Sequence, residues 1–159
     1  MSPIYEIISV SVIAAYVIPF LLYIHTGAIL YVFLIVWVGI STAISLPLKI
    51  LSRKLFGDIT HRPKGASYCD TFNLKPKPSE PSGFPSGHMI TVTTFCVAMF
   101  LVYPYSIVFV CSAIWIILMG IARYKKKCHD VPQVIGGIAF GAIFGTVFVF
   151  ILLKLGISQ

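Results

Sequence analysis

The chain has little charge. Asp, Glu, Lys and Arg make up only 11% of its 159 residues, and just five of them are acidic. Hydrophobic residues make up 58%. A soluble domain of this length could not hide so much apolar surface, whereas lipid-facing side chains need no protein cover. There is no zinc-finger ligand spacing and no aromatic RNA-binding sheet motif. The net charge of +7 therefore points to anionic lipid or a phosphorylated substrate rather than nucleic acid. No basic residue precedes the first apolar stretch, and Glu6 stands where positive charge would be expected. That is unlike a cleavable signal, so the stretch reads as a retained anchor. Cysteines are few. Cys96 and Cys111 lie in apolar runs and read as small hydrophobes. Cys69 and Cys128 lie in polar segments and can pair if those segments face an oxidising compartment.

What is abundant is apolar sequence in long runs. Crossing the hydrocarbon core takes roughly 20 residues of helix. Five segments read as spans: 4–24, 29–48, 88–103, 106–122 and 133–153. The expected fold is all-α, a polytopic transmembrane helix bundle forming one domain over 1–159. The one long connection, 53–87, holds Pro63, Pro76, Pro78, Pro81 and Pro85. Long loops of this kind tend to be functional, so it is the expected active-site loop, with Lys75–Pro81 as an extended spacer. Gly137, Gly141 and Gly145, spaced by four, give the last helix a small face for close packing. Alternating spans bring two polar segments to one face of the membrane. One follows the second span and the other follows the fourth.

Lys54, His61, Arg62, Ser86, Gly87, His88, Arg123 and His129 gather on that face. Gly83-Phe84-Pro85-Ser86-Gly87-His88 directly precedes an apolar helix. Backbone N–H groups at a helix start attract anions, Gly87 admits a ligand to the backbone, and His88 can give or take a proton. The same segment also reads as an ordinary helix cap made by Ser86. In Arg123–Gln133, a guanidinium can grip two phosphate oxygens and a neutral imidazole can attack phosphorus. Lys125, Lys126 and Lys127 read as a cytoplasmic or headgroup-facing charge run. Asp130 and Gln133 have capping-box spacing, which gives Gln133 a competing role at the helix start.

In this order the motifs resemble the type 2 phosphatidic acid phosphatase superfamily, which includes vanadium haloperoxidases. Its three blocks are Lys-x6-Arg-Pro, Pro-Ser-Gly-His and Ser-Arg-x5-His-x3-Asp. Here they read Lys54…Arg62-Pro63, Pro85-Ser86-Gly87-His88 and Ala122-Arg123-x5-His129-x3-Gln133. The resemblance implies a haloperoxidase-like helical core. Lys54, Arg62 and Arg123 would hold phosphoryl oxygens, with help from Ser86 and Gly87. His129 would be the nucleophile, forming a phosphohistidine, and His88 the acid for the leaving group. It implies no metal and no other cofactor. Three positions depart from the pattern. Seven residues separate Lys54 from Arg62, so Arg53 is an alternative, and Ala122 and Gln133 replace a serine and an acid. Gln133 can still accept N–H from His129 and fix its tautomer. Dolichyl-diphosphatase-like members also carry glutamine there, which turns the expected substrate toward polyprenyl diphosphates.

The leading expectation is a lipid phosphatase whose partners are a phosphorylated lipid and the membrane. The alternative is a non-catalytic pseudoenzyme of the same fold that binds anionic lipid. Further readings are a structural protein with a basic rim, and a zinc site drawing on His61, Cys69, His88, Cys128 and His129. The excess of Lys and Arg places the active face toward the cytoplasm.

Overall fold

A computed structural model describes residues 3–64, 66, 69 and 82–157, with Asp58 and Ile59 described for backbone only. The chain folds as α1 (Pro3–Val10), a 3-10 turn (Ser11–Ile13), α2 (Ala14–Thr26), α3 (Ile29–Phe56), a second 3-10 turn (Gly57–Thr60), α4 (Gly87–Val102), α5 (Ser106–Lys125) and α6 (Val131–Lys154). Among the described residues, four stretches are long and apolar enough to cross a membrane: Pro3–Thr26, Ile29–Phe56, Ser106–Lys125 and Val131–Lys154. The fifth expected span is a shorter apolar helix, Gly87–Val102. The protein is thus a multi-pass helical bundle. The Lys75–Pro81 spacer lies outside the described residues.

Local chemistry sets the helix ends. Gly27 adopts φ 70°, and its N–H closes α2 on the carbonyl of Tyr23 at 2.8 Å. Asp130 caps α6 by accepting from Gln133 N, with Pro132 in the first turn. α3 does not stop near Leu48. It runs for 28 residues, about 42 Å, to Gly57 at φ 58°. Arg53–Phe56 therefore belong to helix, and the loop expected over 53–87 begins later. Pro47 is accommodated inside α3.

The short α4 is the central helix. Met89, Ile90, Val92 and Ala98 are fully buried, and α4 packs against α3, α5 and α6. Its contact with α6 runs along the glycine stripe. A Cβ on Gly137 would lie 2.6 Å from Met89 Cβ, one on Gly141 2.7 Å from Thr93 Cβ, and one on Gly145 2.8 Å from Val97 Cβ. No side chain fits there, which is how α6 comes close enough to bring its N-terminus beside that of α4. Outward apolar residues such as Leu46, Ile107, Ile117 and Leu153 are exposed, as expected of surfaces that face lipid.

Candidate active site

Four chain segments end at one pole of the bundle: the close of α3, the start of α4, the close of α5 and the start of α6. Backbone and side-chain bonds stitch them together. Ser86 N donates to Gln133 O at 3.1 Å, and Gly83 N donates to Thr60 O at 2.7 Å. Ser52 Oγ donates to Phe84 O at 2.7 Å, and Ser82 Oγ donates to Lys49 O at 3.1 Å. His61 and Ser82 form an isolated antiparallel bridge. The three motif segments are thus in contact, as the alternation of spans requires.

His129 sits at the centre, 2% exposed. Its Nδ1 lies 3.1 Å from Gln133 Oε1. The orientation of that amide follows from its other end. Gln133 Nε2 donates to the carbonyls of His61 at 2.8 Å and Thr60 at 3.3 Å, and only an NH2 can serve two carbonyl oxygens. Oε1 must then face His129 and accept from Nδ1–H, leaving the Nε2 lone pair available. The capping reading of Gln133 is half right. Its backbone N–H is capped by Asp130 Oδ1 at 3.1 Å, while its side chain serves His129 and the first block. Gly83 is required beside it, because a Cβ there would overlap the Gln133 amide.

Burial first, then the positive charges of Arg123, Arg62 and Lys49, hold the His129 imidazole well below the ordinary histidine value; the Gln133 bond acts the other way. The same three cations, and His129 itself, act electrostatically on His88. The two imidazoles therefore share one cationic pocket. Arg123 is 1% exposed. Its Nη1 donates to Ser9 Oγ at 3.2 Å, and its Nη2 donates to the carbonyl of Cys69. Ser86 is fully buried, and its Oγ has no hydrogen-bond partner among the described residues. It stands at the N-cap position of α4 without making a side-chain cap, so the ordinary-cap reading of Ser86 does not hold. Gly87 opens the helix beside it.

Four participants escaped the sequence reading. Lys49 is the lysine whose charge reaches both imidazoles. Lys54 is exposed on the last turns of α3. Both line a cavity of about 800 Å³ with Leu46, Ile50, Arg53, Arg62 and Ser82. Positions 46, 49, 50, 53 and 54 fall on one helical face, a stripe that runs from apolar to cationic toward the helix end. That periodicity was the available signal for Lys49. Ser9 carried no such signal, nor did the carbonyls of Thr60 and His61. Cys69 and Cys128 form a disulfide, with Cα atoms 5.3 Å apart. It ties the loop to the residue before His129 and removes two thiolates from the zinc alternative.

The PAP2 superfamily sequence profile matches residues 30–156. A stretch of 75 residues is 37% identical to the lipid A 1-phosphatase of Rhizobium johnstonii, covering 46% of this chain and 30% of that one. The lipid A 1-phosphatase of Rhizobium etli is 36% identical over 75 residues, covering 46% and 31%. The aligned stretch thus spans less than a third of the length of these curated relatives. No solved structure matches the chain.

Proposed function

The chain belongs to the PAP2 superfamily, and from that premise we propose that it is a membrane-embedded phosphatase hydrolysing a lipid phosphate or a polyprenyl diphosphate through a phosphohistidine. One observation carries the reading: His129 is buried, held neutral, anchored through Nδ1 and surrounded by Arg123, Arg62 and Lys49.

His129 Nε2 attacks phosphorus as the bond to the leaving oxygen breaks, and His88 delivers a proton to that oxygen. Water then attacks the phosphohistidine, giving a proton back to His88 as the P–N bond breaks, and inorganic phosphate departs. Arg62, Arg123 and Lys49 stabilise charge on the equatorial oxygens, with Ser86 Oγ and the backbone N–H groups around Gly87 as neutral donors. Lys54 and Arg53 continue the cationic wall outward. One group must start neutral and the other protonated, so the rate follows a bell-shaped dependence on pH.

The cavity along α3 supports a lipid substrate. Leu46 and Ile50 would receive the tail, and Lys49, Arg53, Lys54 and Arg62 the headgroup. The relatives' name makes a lipid A-type sugar phosphate one headgroup to assay. The Cys69–Cys128 bond lies on the same face, and disulfides persist in oxidising compartments. We place the site on that side of the membrane, against the charge rule, because many of the cations that mislead the rule line the pocket.

The test is phosphate release by the detergent-purified chain from phosphatidate, a polyprenyl diphosphate and lipid A, with chelator present. Turnover abolished in both His129→Ala and His88→Ala supports the enzyme. Lipid binding without turnover by the unmodified chain would establish the pseudoenzyme instead.

A further inference from the structure

Among the described residues, Arg123 is the largest fully buried side chain. A buried guanidinium is costly unless its N–H groups are satisfied, and it has five. One acceptor, the Cys69 carbonyl, comes from the active-site loop. The other described acceptor, Ser9 Oγ, comes from α1. The family profile begins only at residue 30, so α1 lies outside the matched core.

Ser9 is not an isolated contact. α1 packs against α5, and three pairs succeed one another in antiparallel order. Trp115 Nε1 donates to Ser11 Oγ at 2.9 Å. Arg123 Nη1 donates to Ser9 Oγ at 3.2 Å. Glu6 acts electrostatically on Lys126, whose ammonium is held below the ordinary lysine value by burial and then by Arg123. Ser9 is itself 4% exposed. The buried hydroxyl of α1 thus meets the one arginine that α5 delivers to the pocket.

We propose that α1 is part of the active site, and that Ser9 is a positioning residue that fixes the Arg123 guanidinium toward a bound phosphoryl group. Ser9 touches no substrate. It sets the direction of a cation that does. The hydroxyl takes one Nη edge and the Cys69 carbonyl takes the other nitrogen, which leaves the plane little freedom to turn.

The kinetic arm of the test rests on the proposed phosphatase reading, and the structural arm does not. The full chain in detergent is prepared as wild type, Ser9→Ala, Ser9→Thr and, as a control at the opposite pole, Tyr31→Phe. In the structural arm, hydrogen exchange of the Arg123 guanidinium is followed by nitrogen-detected NMR. We expect slow exchange in the wild type, exchange about tenfold faster in Ser9→Ala, and protection restored in Ser9→Thr. In the second arm, inorganic phosphate binds about tenfold more weakly to Ser9→Ala, and KM for the lipid rises more than kcat falls. The acid limb of the pH profile moves up, because a wandering Arg123 acts less on His129, leaving Arg62, Lys49 and His88 as the charged or titratable groups that face it. Tyr31→Phe changes none of these. Unchanged protection and phosphate affinity in Ser9→Ala would overturn the proposal. So would an unprotected guanidinium in the wild type, an outcome open to measurement even if Ser9→Ala does not fold. Absent turnover in the wild type would overturn the phosphatase reading alone.

Discussion

The two poles of the bundle are built differently. At the pole away from His129, helices meet through apolar side chains around a cavity of about 400 Å³ lined by Leu30, Leu101, Val102, Val149, Leu152, Leu153 and Ile157. One side-chain pair, Tyr31 Oη to Tyr103 Oη at 2.6 Å, adds a polar link. At the other pole the cavity is cationic, and the links run from side chains to carbonyls on distant segments. Apolar packing tolerates small shifts at little cost. A side chain serving two buried carbonyls does not, because losing a donor leaves each oxygen unsatisfied at about 1–3 kcal/mol. The proposed chemistry sits where the structure is least adjustable.

Substitutions at the two poles should therefore differ in kind. His129→Ala should have the largest effect, lowering kcat/KM by at least about 10³-fold and Tm with it, since the nucleophile goes and Gln133 Oε1 loses its buried donor. Gln133→Glu comes next. It restores an acid of the family's type, yet a carboxylate has no N–H for Thr60 and His61. We expect kcat to fall about 10²-fold and Tm to drop. Equal or higher activity would show that the carbonyl links do not matter.

Removing the disulfide with Cys69→Ser and Cys128→Ser releases a loop of 59 residues' separation, worth about 4 kcal/mol by loop entropy. Chemical denaturation should show the loss, with weaker phosphate binding because Arg123 loses the ordered Cys69 carbonyl. Tyr31→Phe, at the far pole, should cost about 1 kcal/mol or less and leave kcat/KM unchanged. A loss of activity there would erase the distinction between the poles.

His129 also fixes a pH signature. Its folded-state value lies below the unfolded one, near 6.5. The unfolded chain therefore takes up the proton first as pH falls. The His129 contribution to stability is present above about 6.5 and is lost as pH drops through the folded value. The acid limb of kcat/KM should accordingly lie below the ordinary histidine value, and a limb at or above it would contradict the burial and charge argument.

The helices were legible because apolar runs and glycine spacing report them directly. Gly137, Gly141 and Gly145 predict close packing, and α4 supplies the partner. His88, Arg123 and His129 were legible as motif residues at helix ends. Lys49 was obscured because counting back from Arg62 assumes a fixed spacing, whereas α3 runs on to Phe56 and a 3-10 turn follows. The partners of Gln133 were beyond sequence reasoning because two of them are backbone carbonyls, which every residue has. Only the fold selects Thr60 and His61. Ser9 was hidden for a similar reason, since a lone serine in an apolar helix has many uses.

The most direct test is to locate the covalent intermediate. A lipid substrate carrying radiolabelled phosphate is mixed with the enzyme, quenched in base within the first turnover and mapped by peptide. Base-stable, acid-labile label on His129, absent from His129→Ala, is the expected result. Turnover with no label on the protein, or label on His88, would contradict the assignment of His129 as nucleophile.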